Sequence, residues 1–142
     1  MMGNTFGRMF RITTCGESYS GGFNKKANIP KELYGGLITI VDGVPPGIKI
    51  TPEMIQEELD KRRPGQSELD SPRKETDRVY IFSGVMENNL STGAPVGLVI
   101  PNVDIEDIHI QQYREYKDIV RPGHAEYTFF KKYGEYADWV GA

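Results

Sequence analysis

Val120-Arg121-Pro122-Gly123-His124-Ala125-Glu126-Tyr127-Thr128-Phe129-Phe130-Lys131-Lys132-Tyr133-Gly134 is the most informative run of the chain. Proline fixes φ and glycine permits positive φ, so Pro122-Gly123 predicts a sharp reversal that holds its neighbours on one side. The spacing from Ala125 to Tyr133 suits a helix, with Gly134 as its stop. His124 then falls near a helix N-terminus, where anions are favoured and an imidazole tends towards its neutral form. Arg121 beside it can grip a carboxylate or phosphate through two parallel hydrogen bonds. His124 is of the one residue type that exchanges protons near neutrality without help. The alternative is a structural turn holding a satisfied histidine, a common false positive for short motifs.

Working outward, the whole sequence of 142 residues suffices for one domain with a core, or for part of a larger one. Its 38% hydrophobic and 26% charged residues are globular values rather than disordered ones. A net charge of −3 argues against a general nucleic-acid binder. One cysteine, Cys15, excludes an internal disulfide and suits a reducing compartment. No charged-then-apolar leader opens the sequence and no run reaches membrane-spanning length. The expectation is a soluble cytoplasmic protein.

The pattern is mixed, which makes the expected class α+β. Gly7 to Thr14 alternates as a strand ending at Cys15-Gly16-Glu17-Ser18-Tyr19, and Leu37 to Val41 is a second, apolar strand closed by the turn Asp42-Gly43-Val44-Pro45-Pro46-Gly47. Residues 20–36 between them are rich in Gly, Asn and Lys and read as an inserted surface loop. These two strands are expected to pair. Thr51-Pro52-Glu53 has the marks of a helix start: a capping hydroxyl, a residue needing no donor, and an acid at the positive end of the dipole. That helix should run to about Arg62, with Ile55 and Leu59 inward and Lys61, Arg62 and Arg63 in its last turn, before Pro64-Gly65 ends it. Gln66 to Arg78 reads as a polar loop. Val79 to Val85 and Ala94 to Ile100 follow as strands, Asp104 to Asp107 as an acidic loop, His109 between Ile108 and Ile110 as an ordinary surface or partly buried loop residue, and Tyr113 to Ile119 as a short helix.

Most catalytic patterns are missing. Two histidines and one cysteine give no metal-ligand spacing, so no metal is expected. No glycine-rich nucleotide loop occurs, and Ser18 lacks a nucleophile elbow. What survives is an anion pocket: Arg62 or Arg63, Arg121, the Ser18 hydroxyl, and His124 as acid or base.

Several runs, in order, carry a resemblance. They include Gly3-Asn4-Thr5-Phe6-Gly7, Thr13-Thr14-Cys15-Gly16-Glu17-Ser18, Val41-Asp42-Gly43-Val44-Pro45-Pro46-Gly47 and Leu59-Asp60-Lys61-Arg62-Arg63-Pro64-Gly65. Pro72-Arg73-Lys74-Glu75-Thr76-Asp77, Ser83-Gly84-Val85, Ser91-Thr92-Gly93-Ala94-Pro95, Lys117-Asp118-Ile119-Val120-Arg121-Pro122-Gly123-His124-Ala125-Glu126-Tyr127-Thr128 and Lys132-Tyr133-Gly134 complete them. Together they resemble the N-terminal part of chorismate synthase.

That resemblance implies a β-α-β sandwich, of which 1–142 forms a single, incomplete domain with antiparallel strands packed on helices. It implies a lyase that removes phosphate and a proton from 5-enolpyruvylshikimate 3-phosphate, a small phosphorylated carboxylic acid, to give chorismate for aromatic amino acid biosynthesis. It also implies reduced FMN as cofactor, without net redox change, and a homotetramer that binds neither nucleic acid nor membrane. By position, His124 matches the histidine that works beside the flavin and protonates it, Arg62 a substrate-binding arginine with Arg63 next to it, Arg121 another cation of that pocket, and Ser18 the phosphate end.

There are departures too. The family's Gly-Glu-Ser-His-Gly reads Gly16-Glu17-Ser18-Tyr19-Ser20 here, so Tyr19 stands for the histidine that assists phosphate departure. Glu68 lies where a second substrate arginine often stands. Past Gly134 the family continues into a glycine-rich, flavin-binding segment. A second expectation is therefore a diverged or truncated, non-catalytic homologue that keeps anion binding or an assembly role.

Overall fold

The structure, a computed structural model, describes residues 3–17, 28, 30, 33, 35–62, 77–103, 107–116, 119–120 and 123–134. The chain divides into two compact units. One comprises Met1–Gly16 with Leu37–Pro101, the other Glu17–Gly36 with Asn102–Ala142.

The first unit is built on a sheet whose strands are β1 (Thr5–Gly7), β2 (Arg11–Glu17), β3 (Gly36–Asp42), β4 (Tyr80–Ser83) and β5 (Val96–Pro101). Their order is β1-β2-β3-β5-β4, with β1 antiparallel to β2 and β4 antiparallel to β5. Helix α1 (Pro52–Asp60) intervenes between β3 and β4, while α2 (Asp107–Glu115) and α3 (Glu126–Tyr133) belong to the second unit. Antiparallel strands followed by helices make the class α+β, as the patterning predicts.

The strand expected from Gly7 to Thr14 is in fact the second half of a hairpin. Gly7 takes φ +97 and a Cβ there would lie 1.9 Å from the Phe10 carbonyl oxygen, so the chain reverses at 8–10 instead of running straight. Thr5 pairs with Thr13, and their hydroxyls meet at 2.9 Å. Leu37 to Val41 is a strand as expected, and β2 and β3 are neighbours. The Asp42–Gly47 turn then rests on the hairpin, since the Gly43 Cα closely approaches the Met9 carbonyl.

Helix α1 starts as its sequence dictates. The Thr51 hydroxyl accepts a hydrogen bond from the Met54 N–H at 3.3 Å, and Pro52 occupies the first turn. Such a cap typically stabilises by about 1 kcal/mol. The Glu53 carboxyl is held below the usual carboxylate range, first by its own backbone N–H and then by the Thr51 hydroxyl. A depressed folded-state pKa contributes stability above the unfolded value and loses it as pH falls through the folded one. The helix ends earlier than expected, at Asp60 with Lys61 as its cap, and its last turn carries no basic residue. Ile55 and Leu59 are half-buried. Lys61 pairs with Glu58 in the open, where such a pair is worth little.

The remaining difference is α2. Tyr113 to Ile119 was the expected helix, but the helix runs from Asp107 to Glu115 and so includes His109. Asp107, the last residue of the expected acidic loop, opens this helix, where the dipole favours an acid; 104–106 lie outside the described residues. Among the described residues the buried hydrophobics are Val79 and Val96, each 3% exposed, one leading into β4 and the other opening β5.

Candidate functional site

The two described members of the expected pocket, Arg62 and His124, belong to different units. Arg62 follows the end of α1, where its N–H donates to the Leu59 carbonyl at 2.9 Å. Its side chain is exposed and makes no ion pair among the described residues. Ser18, Tyr19, Arg63, Glu68 and Arg121 lie outside the described residues, as does most of the inserted loop at 20–36.

The carrier of Arg62 is fastened by a side chain that the sequence does not single out. Gln56 Nε2 donates to Asp60 Oδ1 at 2.8 Å and to the Asp77 carbonyl at 3.3 Å, while its Oε1 accepts from the Val79 N–H at 3.0 Å. One amide thus ties the last turn of α1 to the segment entering β4. Gln56→Ala leaves the buried Val79 N–H without that acceptor and should cost about 1–3 kcal/mol in urea unfolding of the full-length protein. A loss under about 0.5 kcal/mol would show that the tie is dispensable.

His124 stands where the turn chemistry puts it. Gly123 has φ +80, His124 and Ala125 follow in exposed bends, and α3 begins at Glu126. Ala125 gives the helix no side-chain cap, and the helix ends at Gly134 with φ +61, as expected. The first turn therefore presents backbone donors and the positive end of the dipole beside an exposed imidazole. Glu126 is 1% exposed at the first position of α3. A carboxylate is rarely so enclosed, and no periodicity argument finds it, because the rest of the helix reads as an exposed amphipathic segment.

A second anchoring residue lies in the first unit. Ser91, fully buried, donates from its hydroxyl to the Pro45 carbonyl at 2.6 Å and accepts from the Ile48 N–H at 2.8 Å. Backbone bonds Gly47 N–H to Ser91 carbonyl and Ser91 N–H to Ile48 carbonyl, both 2.8 Å, complete the clasp. The Val44–Ile48 arch is thereby fixed by one hydroxyl from the Ser91-Thr92-Gly93 run.

Comparisons with known proteins follow the same residues. The sequence profile of the family described as chorismate synthase matches residues 10–142. The chorismate synthase of Acetivibrio thermocellus is 69% identical over 142 residues, all of this chain and 36% of that protein. The chorismate synthase of Francisella tularensis subsp. holarctica is 47% identical over 134 residues, 94% of this chain and 33% of that protein. A crystal structure of chorismate synthase matches with TM-score 0.49 and 26% identity, covering 79% of this chain and 26% of that one. The chain thus spans about a third of the length of these curated relatives. With a profile match over nearly its whole length, the chain belongs to the chorismate synthase family.

Proposed function

We propose that this chain supplies the substrate-binding and proton-handling part of a chorismate synthase, a lyase of the shikimate pathway acting on 5-enolpyruvylshikimate 3-phosphate. Family membership along residues 10–142 is the observation that supports it. The reaction breaks a carbon–oxygen bond, releases phosphate, and removes a proton from the ring to form the new double bond. A trianionic substrate and an anionic leaving group call for several cations and a proton donor. Arg62, Arg63 and Arg121 are the cations proposed, with Ser18 as a hydroxyl donor at the phosphate end.

Reduced FMN is the proposed cofactor. His124 fits one edge of it, being an exposed imidazole at the start of a helix whose first turn lacks a side-chain cap, a donor-rich setting suited to an anionic ring. When bound, the flavin supplies an electron-rich ring that can lend and recover electron density. His124 holds the exchangeable proton on a ring nitrogen beside it. A homotetramer working in the cytoplasm completes the proposal; no helix of the described residues is long and apolar enough to cross a membrane.

The test is anaerobic phosphate release from this substrate by the full-length protein with reduced FMN. Arg62→Ala should raise KM at least about tenfold, and an unchanged KM would remove Arg62 from the pocket. Tyr19 favours a second reading, a diverged homologue without turnover, because a phenol with pKa near 10 brings no charge to the departing phosphate. If the protein turns over, Tyr19→His should raise its rate, since general-acid help is commonly worth about 10²–10⁴-fold. A neutral or harmful effect gives Tyr19 a different role. No phosphate release from any form of the full-length protein would favour the non-catalytic reading.

A further inference from the structure

The C-terminal end of α1 lacks the usual helix stops. Its last turn holds no basic residue, and the position after the Lys61 cap is Arg62 rather than glycine. Asp60, the last residue, puts a carboxylate at the negative end of the dipole, where it is disfavoured. Its partner explains it. Gln56 and Asp60 are both half-buried, and the Gln56 amide donates to Asp60 Oδ1 at 2.8 Å. A Gln–Asp pair four residues apart is by itself an ordinary helix contact. Here the same amide also holds the Asp77 carbonyl and the Val79 N–H, 21 and 23 residues further along, so both its donors and its oxygen are engaged. Asp77 has φ +36, a left-handed backbone that is uncommon outside glycine and persists only where its surroundings hold it.

Between Asp60 and Arg62 the backbone has little freedom. Lys61 is helical, at φ −64 and ψ −18, and the Arg62 N–H is bonded to the Leu59 carbonyl at 2.9 Å. The Arg62 backbone therefore follows Asp60, and Asp60 follows Gln56. We propose that Gln56, acting through Asp60, is a positioning residue for Arg62: it fixes the end of α1 against the Asp77–Val79 segment, and so fixes where the Arg62 guanidinium meets the phosphorylated carboxylic acid. The inference rests on the proposed substrate-binding role of Arg62. A guanidinium is demanding to place, because its two parallel hydrogen bonds to an oxyanion need a planar alignment. A displacement of about 1 Å, caused far from the chemistry, can lose about 10²-fold. The exposed Arg62 side chain has no ion pair among the described residues to steady it, so its aim comes from the backbone that carries it.

Asp60 gives the cleanest test. Asp60→Ala removes the tie to Gln56 and also an acid from the wrong end of the dipole, so the fold should hold. Asp60→Asn removes the same charge but keeps an oxygen that accepts from Gln56 Nε2. The Kd for 5-enolpyruvylshikimate 3-phosphate is measured by calorimetry on the full-length protein with FMN, a readout that needs no turnover. Asp60→Ala should raise it about tenfold or more, while Asp60→Asn stays within about twofold of the parent. Removing an anion would by itself tighten binding of an anionic ligand, so the expected loss has the opposite sign to a simple charge effect. Gln56→Glu, which keeps the acceptor for Val79 but has no donor for Asp60, should weaken binding as Asp60→Ala does. In an Arg62→Ala background Asp60→Ala should change Kd by no more than about twofold, since no guanidinium is left to place. An unchanged Kd in Asp60→Ala or Gln56→Glu, an equal loss in Asp60→Asn, or an undiminished loss in the Arg62→Ala background overturns the positioning role and leaves Arg62 in the pocket. If Arg62→Ala alone binds as the parent does, the substrate-binding reading of Arg62 fails, and this inference with it.

Discussion

Gly43→Ala should destabilise the full-length protein severely and lower its urea midpoint, whereas Gly47→Ala, four residues along the same motif, should be tolerated. The two glycines have nearly the same backbone, φ +83 and +82. A side chain in that region is strained by about 1–2 kcal/mol at either site. They differ in their surroundings. A Cβ at residue 43 would sit 1.9 Å from the Met9 carbonyl oxygen and 2.9 Å from its carbon, both backbone, while one at residue 47 would meet nothing within 4 Å. Backbone cannot rotate aside as a flexible side chain can, so the hairpin and the turn must separate. Overpacking of this kind adds at least about 1–3 kcal/mol to the strain, a large part of a typical total stability. Urea titrations of the two variants check it. Equal midpoints would mean that the turn and the hairpin do not touch as described.

His124→Ala should give the opposite profile: a folded protein with little turnover. The side chain is exposed and precedes α3, so removal costs no core packing and stability should stay within about 0.5 kcal/mol. If it transfers a proton at the flavin, kcat should fall by about 10²–10⁴-fold with a much smaller change in KM. His124→Asn, which restores a hydrogen-bond donor but no titrating group, should not recover the rate. A variant retaining more than about a third of kcat would exclude proton transfer by His124.

The sequence made the local devices legible. Thr51-Pro52 at the start of α1 and the Gly123–Gly134 frame around α3 each rest on the chemistry of one or two residues, and both stand where that chemistry puts them. Errors arose where a nearby signal was overruled by something distant or ambiguous. Gly7 reads as the start of a strand running to Thr14, but Phe10 turns back onto it and Gly7 instead closes β1. Asp107 reads as the end of an acidic loop, yet it opens α2, where the dipole favours a negative charge. Gln56, Ser91 and Glu126 were invisible because their importance comes from burial or from partners far along the chain, which no window of neighbouring residues contains. For the site, residue chemistry suggested an anion pocket, but only the collinear motifs gave it a substrate. Arg62 and His124 are both exposed.

The Ser91 clasp has a kinetic consequence. Its hydroxyl reaches back 46 residues to Pro45 and 43 to Ile48. During synthesis the arch is polymerised before its fastener exists, by about 2–9 s at common elongation rates of about 5–20 residues per second. Until then the Val44-Pro45-Pro46-Gly47 segment has only local restraints, and closing so long a loop must precede any reward from the contact. The arch should therefore be among the last parts of the first unit to acquire protection from hydrogen exchange as the nascent chain lengthens.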